Sequence, residues 1–229
     1  MCNGFAAMKS LEMIHAVFAA GTKAGGLRAV VHAAGVSPRM GSAEKIIEIN
    51  AVGTINVVEA ALAVADEGFA VVNVASIAAV MVPGFMIPKR AFGYARTDVD
   101  KLRQKLIAAS NRTGKRAAPK QAYPISKAFV VWYSAEMAAA FGASGARILS
   151  VSPGSFDTEM GRLEESGGSG QLTQFAALKR FGRPEEIAEL LAFCASSKPG
   201  YLTGVDILCD GGTKAGMGLK EMITLARGA

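Results

Sequence analysis

The chain has 229 residues, 51% hydrophobic and 19% charged, which excludes a disordered polymer and fits one domain with a sizeable core. Three cysteines without paired spacing (Cys2, Cys194, Cys209) and only two histidines (His15, His32) exclude a disulfide frame and a multi-histidine metal centre; reduced thiols of a cytoplasmic protein are expected, with no metal. The net charge of +6 is gathered in one stretch: ten basic residues lie between Lys89 and Lys120 against Asp98 and Asp100, and the rest of the chain has fifteen basic against seventeen acidic.

Residues Met1 to Ala20 place Leu11, Ile14, Val17 and Phe18 at a helical period, and Glu12 and His15 interrupt the run too early for a signal peptide. Leu27 to Ala33 reads as a buried strand that turns at Gly35. Ser42 is placed to cap a helix running through Ile46, Ile49, Val52 and Ile55 towards Asp66 and stopping at Gly68. Ala70 to Val74 is a second buried strand, ending at Ala75-Ser76. The apolar run Phe69 to Pro88 holds Asn73, Ser76, Pro83 and Gly84, so a strand and loop fit it better than a membrane span. Pro83 to Ala122 breaks the alternation as a basic helical insertion, with a capping box predicted at Thr97-Asp98-Val99-Asp100.

Tyr123-Pro124-Ile125-Ser126-Lys127 opens a buried helix whose apolar part runs from Ala128 to Phe141. Arg147 to Val151 is a third strand, followed by Ser152-Pro153-Gly154. Ser166 to Gly170 is a Gly/Ser patch within a substrate lid over residues 155–181, and Gly182-Arg183-Pro184-Glu185-Glu186 starts another helix. Val205 to Cys209 is the last strand. Short strands apolar on both faces, alternating with helices, predict a doubly wound, Rossmann-like parallel sheet with helices on both faces, within a single domain over residues 1–229.

The chemistry centres on Tyr123 and Lys127. Four residues apart on a helix, they share one face. A tyrosine hydroxyl ionises near pH ~10, and an adjacent ammonium favours the phenolate, which brings proton exchange with an alcohol or carbonyl towards neutrality. Around this pair the motifs fall in a fixed order. They are His32-Ala33-Ala34-Gly35 after the first strand, Asn50 in the next helix, Asn73-Val74-Ala75-Ser76 ending the second strand, then Tyr123 and Lys127, then Pro153-Gly154-Ser155-Phe156-Asp157-Thr158.

In this order the chain resembles the short-chain dehydrogenase/reductase family from about Leu27 to Gly212. The resemblance implies an NAD- or NADP-dependent oxidoreductase that interconverts a secondary alcohol and a ketone. Tyr123 would be the acid/base. Lys127 would support it and bond the nicotinamide ribose, Ser76 would hold the substrate oxygen, and Asn50 would position water in a proton relay through Lys127. The backbone of Ala33, Ala34 and Gly35 would pass the adenosine half of the cofactor, and Pro153, Gly154, Phe156 and Thr158 would frame the nicotinamide. A small-molecule substrate and a homodimer or homotetramer are implied; neither nucleic acid nor membrane is.

Three features depart from the family pattern. No glycine-rich strand-turn-helix precedes Leu27, so on the order of 60 residues, about two βαβ units, are expected to be missing, and Leu27–Ala33 is expected to be an open sheet edge. Ser76 and Tyr123 are 47 positions apart, a layout similar to bacterial 3α-hydroxysteroid dehydrogenases/carbonyl reductases. His32-Ala33 stands where an asparagine pair is usual. The alternative is a truncated, non-catalytic member that acts in protein association. The basic insertion is either a patch that attracts acidic substrate to the active-site mouth or a solvated or subunit-contact face.

Overall fold

Four runs of apolar residues, each too short for a helix, pair in the order in which they occur in the chain. The computed structural model describes residues 18, 21, 26–164, 172–218 and 221. Strands β1 (Ala29–His32), β2 (Ala70–Val74), β3 (Arg147–Pro153) and β4 (Asp206–Cys209) form one parallel sheet in the order β1-β2-β3-β4. The doubly wound α/β architecture expected from the sequence is present. The helix expected over Met1 to Ala20 and the Gly/Ser patch at Ser166 to Gly170 lie almost wholly outside the described residues.

The period-two geometry of a strand sends successive side chains to opposite faces, and both faces are covered. Val71 and Ile148 face a large core with Ile46, Phe129, Tyr133 and Phe141. Val72, Leu149 and Val151 face Cys194, Leu190 and Leu191 of the helix Pro184–Ala195. This double burial is why β2 and β3 carry apolar residues on both faces, with Asn73, Ser150 and Ser152 buried among them.

The helix before β2 departs from a simple spiral. It starts at Ala43, capped by Ser42, whose Oγ accepts from the Lys45 amide at 3.3 Å. It then widens into a π-helical turn over Ile47–Val52 and continues as α-helix Gly53–Leu62, four residues short of the expected end at Asp66. The wide turn surrounds Asn50, whose side chain is spent on the loop after β1. π-Turns of this kind collect at functional sites.

In the insertion the cap is Asp98, whose Oδ1 accepts from the Lys101 amide at 2.9 Å, and the helix runs Val99–Ser110. The helix that carries Tyr123 and Lys127 begins earlier than expected, at Ala118, and ends at Glu136; a separate short helix, Ala138–Gly142, follows. Pro124 therefore sits inside the first helix rather than at its mouth. Phe92, from the insertion, packs edge-on against Phe129 at 5.3 Å between ring centroids, so the insertion is tied to the core by this helix.

Candidate active site

In a parallel sheet all carboxyl ends of the strands lie on one rim, and the loops leaving that rim meet above it. Backbone bonds extend the ladder past the strand ends. The amides of Ala75, Ile77 and Gly154 donate to Val151 O, Pro153 O and Cys209 O, each at 2.8 Å. Ser76 is thereby held beside Pro153. The helix Ala118–Glu136 crosses the same rim and brings Tyr123 and Lys127 to it.

These groups line one cavity of about 440 Å³. Of the residues expected to be functional, Ala33, Gly35, Ser76, Tyr123, Lys127, Pro153, Gly154, Phe156 and Thr158 all border it. Ala34 does not; it is exposed. The walls also include Ile77, Met160, Leu172, Phe181, Ile187 and Leu191, none of which stood out in the sequence. Only the rule that ligands sit beyond strand ends could have marked Ile77; the others come from distant loops and helices.

Lys127 is the chemical centre of this cavity. Its side chain is 6% exposed, and burial lowers its ammonium pKa from the ordinary 10.5 to about 8. Nζ donates to Val74 O at 2.9 Å, the one acceptor that the described residues offer to its three protons. It lies 5.9 Å from the centroid of the Tyr123 ring. Ser76 Oγ accepts from the Ala78 amide at 3.2 Å, which leaves its O–H directed elsewhere. A cation with protons to give, a tyrosine and a serine hydroxyl thus share one largely apolar space.

Asn50 stands behind the cavity wall. It is 1% exposed and does not line the cavity. Its Oδ1 accepts from the Val36 amide at 2.8 Å, and its Nδ2 donates to Val36 O at 3.0 Å and Ser126 Oγ at 3.2 Å. Both amide hydrogens are used, so the side chain locks the loop after β1 onto the Tyr123 helix. Gly35 fits between the two groups: a Cβ there would lie 3.3 Å from both Asn50 Oδ1 and Lys127 Nζ. Replacing Asn50 by Ala orphans two buried backbone groups of Val36. The expected loss is about 2–4 kcal/mol of stability, read as a shifted urea midpoint.

Two further placements shape the rim. Gly154 passes so near the turn after β4 that a Cβ there would sit 2.6 Å from Asp210 Cα. Gly154→Ala is expected to push these backbones apart and to lower stability by about 1–3 kcal/mol in a thermal melt. Phe156 is buried and bridges to Gly182. Thr158 Oγ1 accepts from the Gly161 amide at 3.0 Å, so this residue both lines the cavity and caps the helix Glu159–Glu164. His32 ends β1 and is buried, with Nδ1 3.2 Å from Asn73 Oδ1 of the neighbouring strand. None of the ten basic residues of the insertion borders the cavity, which removes them from its walls. Among the described residues no cluster able to hold a metal ion occurs, and no helix is long and apolar enough to cross a membrane.

Comparison with known proteins adds to this geometry. Residues 91–214 match the family described as enoyl-(acyl carrier protein) reductase. The 3-oxoacyl-[acyl-carrier-protein] reductase of Chlamydia trachomatis is 32% identical over 108 residues, which are 47% of this chain and 44% of that protein. An uncharacterised short-chain type dehydrogenase/reductase of Sinorhizobium fredii is 27% identical over 197 residues, 81% of this chain and 30% of that one. The chain thus spans less than half the length of these curated relatives. Among solved structures, a short-chain dehydrogenase from Burkholderia cenocepacia in complex with NADP matches with a TM-score of 0.66 at 20% identity, covering 89% of this chain and 73% of that one. This last likeness is one of fold.

Proposed function

The chain belongs to the short-chain dehydrogenase/reductase family, and from that premise we propose that it interconverts a secondary alcohol and a ketone, a hydroxysteroid or another carbonyl compound, with NAD or NADP. The observation that carries this reading is the convergence of Ser76, Tyr123 and Lys127 on one cavity beyond the strand ends. The apolar walls supplied by Ile77, Met160, Leu172, Phe181 and Leu191 suit a hydrophobic carbonyl compound.

The residues present fit the nicotinamide and its ribose. Lys127 has protons to offer a ribose hydroxyl, and Gly35 and Gly154 border the same cavity. Pro153, Gly154, Phe156 and Thr158 would border the nicotinamide, and Ala33 and Gly35 the adenosine side. When bound, the dinucleotide supplies or accepts the hydride.

The chain's own residues handle the substrate oxygen. Ser76 accepts from the Ala78 amide, which leaves its O–H to donate to the carbonyl and orient it. Tyr123 gives its proton to that oxygen as the alcohol forms, and takes it back in the reverse direction. Lys127, dry and one helical turn away, opposes the negative charge left on the tyrosine oxygen, an effect strengthened by the low local polarity. Asn50 holds the loop and helix that set this spacing, and is a positioning residue.

The reading is tested by titrating the purified chain with NADH and NADPH, following cofactor fluorescence, and then screening ketones. Saturable binding of either nucleotide and its oxidation by a ketone are the expected results. A second reading, association without catalysis, draws on β1, which pairs with β2 alone among the described strands and leaves Val31 43% exposed. A cooperative thermal melt with no nucleotide binding would favour it over the first.

A further inference from the structure

The fold sorts the ten basic residues between Lys89 and Lys120 into two groups. One group is already matched. Arg96 meets Glu136 at 3.4 Å, and Arg103 meets Glu48 at 2.6 Å and also Asp100. Lys101 lies over the Tyr94 ring, 4.3 Å from its centroid. Asp98 caps its helix. The acids of the stretch are therefore spent.

Four of the others, Lys89, Arg90, Lys105 and Arg112, converge on a second cavity of about 480 Å³. It shares no lining residue with the one at Tyr123, and no carboxylate lines it. Among the described residues none of the four forms an ion pair. Like charges gathered in a concave space raise the local potential and draw an anion in. Two arginines also offer the forked donors that match a phosphate. The remaining wall is uncharged, with Gly84, Ile87, Pro88 and Ala91 beside two aromatic residues, Tyr94 and Phe85, and Phe85 is 84% exposed. A phenylalanine left that open beside unpaired cations is a ready stacking surface.

We propose that this cavity binds a small aromatic phosphate, of the nucleoside monophosphate type. The guanidinium and ammonium groups hold the phosphate, and Phe85 stacks against the ring. A concave site with one exposed ring suits a single small molecule; an extended strand would need a track of several rings. The proposal does not depend on the oxidoreductase reading.

The test is an amide NMR titration of the full chain with phenyl phosphate, inorganic phosphate and phenol. Phenyl phosphate carries both recognised features without the adenosine that would also enter a dinucleotide cleft. Saturable shifts are expected at residues 84–94, 105 and 112, at least tenfold tighter for phenyl phosphate than for inorganic phosphate, with phenol not saturating. Arg90→Ala/Arg112→Ala should weaken phenyl phosphate at least tenfold, and Phe85→Ala should bring it to the level of inorganic phosphate. Should the double variant fail to fold, the Phe85→Ala comparison decides alone, because that side chain is almost fully exposed. Absence of saturation, equal affinity for the two phosphates, or shifts confined to residues 33–38 and 153–158 would overturn the proposal. So would binding of a single-stranded RNA without any response to phenyl phosphate.

Discussion

Replacing Tyr123 by Phe is expected to lower kcat at least about a hundredfold, while the melting temperature and nucleotide affinity stay close to those of the parent chain. The substitution removes one oxygen and keeps the ring. The ring is only half-buried on a helix anchored by Phe129 and Tyr133, both fully buried, so the fold has little reason to respond. The hydroxyl is the group that must give and take the substrate proton. Ser76 cannot replace it, since an unassisted serine hydroxyl is too weak an acid, and Lys127 is set back against Val74 O. Loss should therefore appear in kcat and kcat/KM together, the mark of an interaction made in the transition state. Turnover that survives in Tyr123→Phe would remove the assignment of this residue as acid/base. Unchanged nucleotide binding in the same variant would separate that failure from a failure to bind cofactor.

Lys127→Met is expected to abolish turnover and, more tellingly, to change how stability depends on pH. Burial lowers the Lys127 ammonium from 10.5 to about 8. In the unfolded chain the group keeps its proton up to the ordinary lysine range; in the folded chain it releases it near pH 8. Between those values the unfolded state binds more protons, so the parent gains stability as pH rises through that window. Below pH 8 the full penalty of the buried charge is present, at most about 3 kcal/mol. The variant lacks this titration. Its stability relative to the parent should be highest near pH 7 and should fall by roughly 2–3 kcal/mol by pH 10. The orphaned Val74 carbonyl, worth about 1–3 kcal/mol, offsets the comparison by a constant and leaves the slope intact. Urea midpoints of both chains at pH 7 and pH 10 provide the measurement, and parallel curves would show that Lys127 is not held dry.

What the amino-acid sequence determined by itself was everything that rests on short-range pattern. Ala70 to Val74 is legible as a strand because both of its faces are buried, which leaves apolar residues at every position but Asn73. Ser42 caps its helix through a neighbour three residues on, so the signal is complete within one turn. Tyr123 and Lys127 share a face because helical geometry places residues four apart together. The rim motifs were legible for a related reason: strand ends in a parallel sheet point one way, so Ser76 and Pro153 had to arrive together.

The tertiary structure alone decided the rest, because the partner lies far along the chain. The π-turn at Asn50 exists to reach Val36 and Ser126, and nothing within one turn of Asn50 announces either. Pro124 is tolerated inside a helix that begins at Ala118 because its surroundings are packed, overriding a local signal for a start. The apolar walls of the cavity come from segments scattered from Val36 to Leu191. The basic stretch reads as one uniform patch, yet folding pairs Arg96 and Arg103 with acids on other helices and turns four of the other eight cations onto a cavity away from Tyr123. Charge along a sequence counts residues; only packing decides which of them find a counter-charge and which are left to meet a ligand.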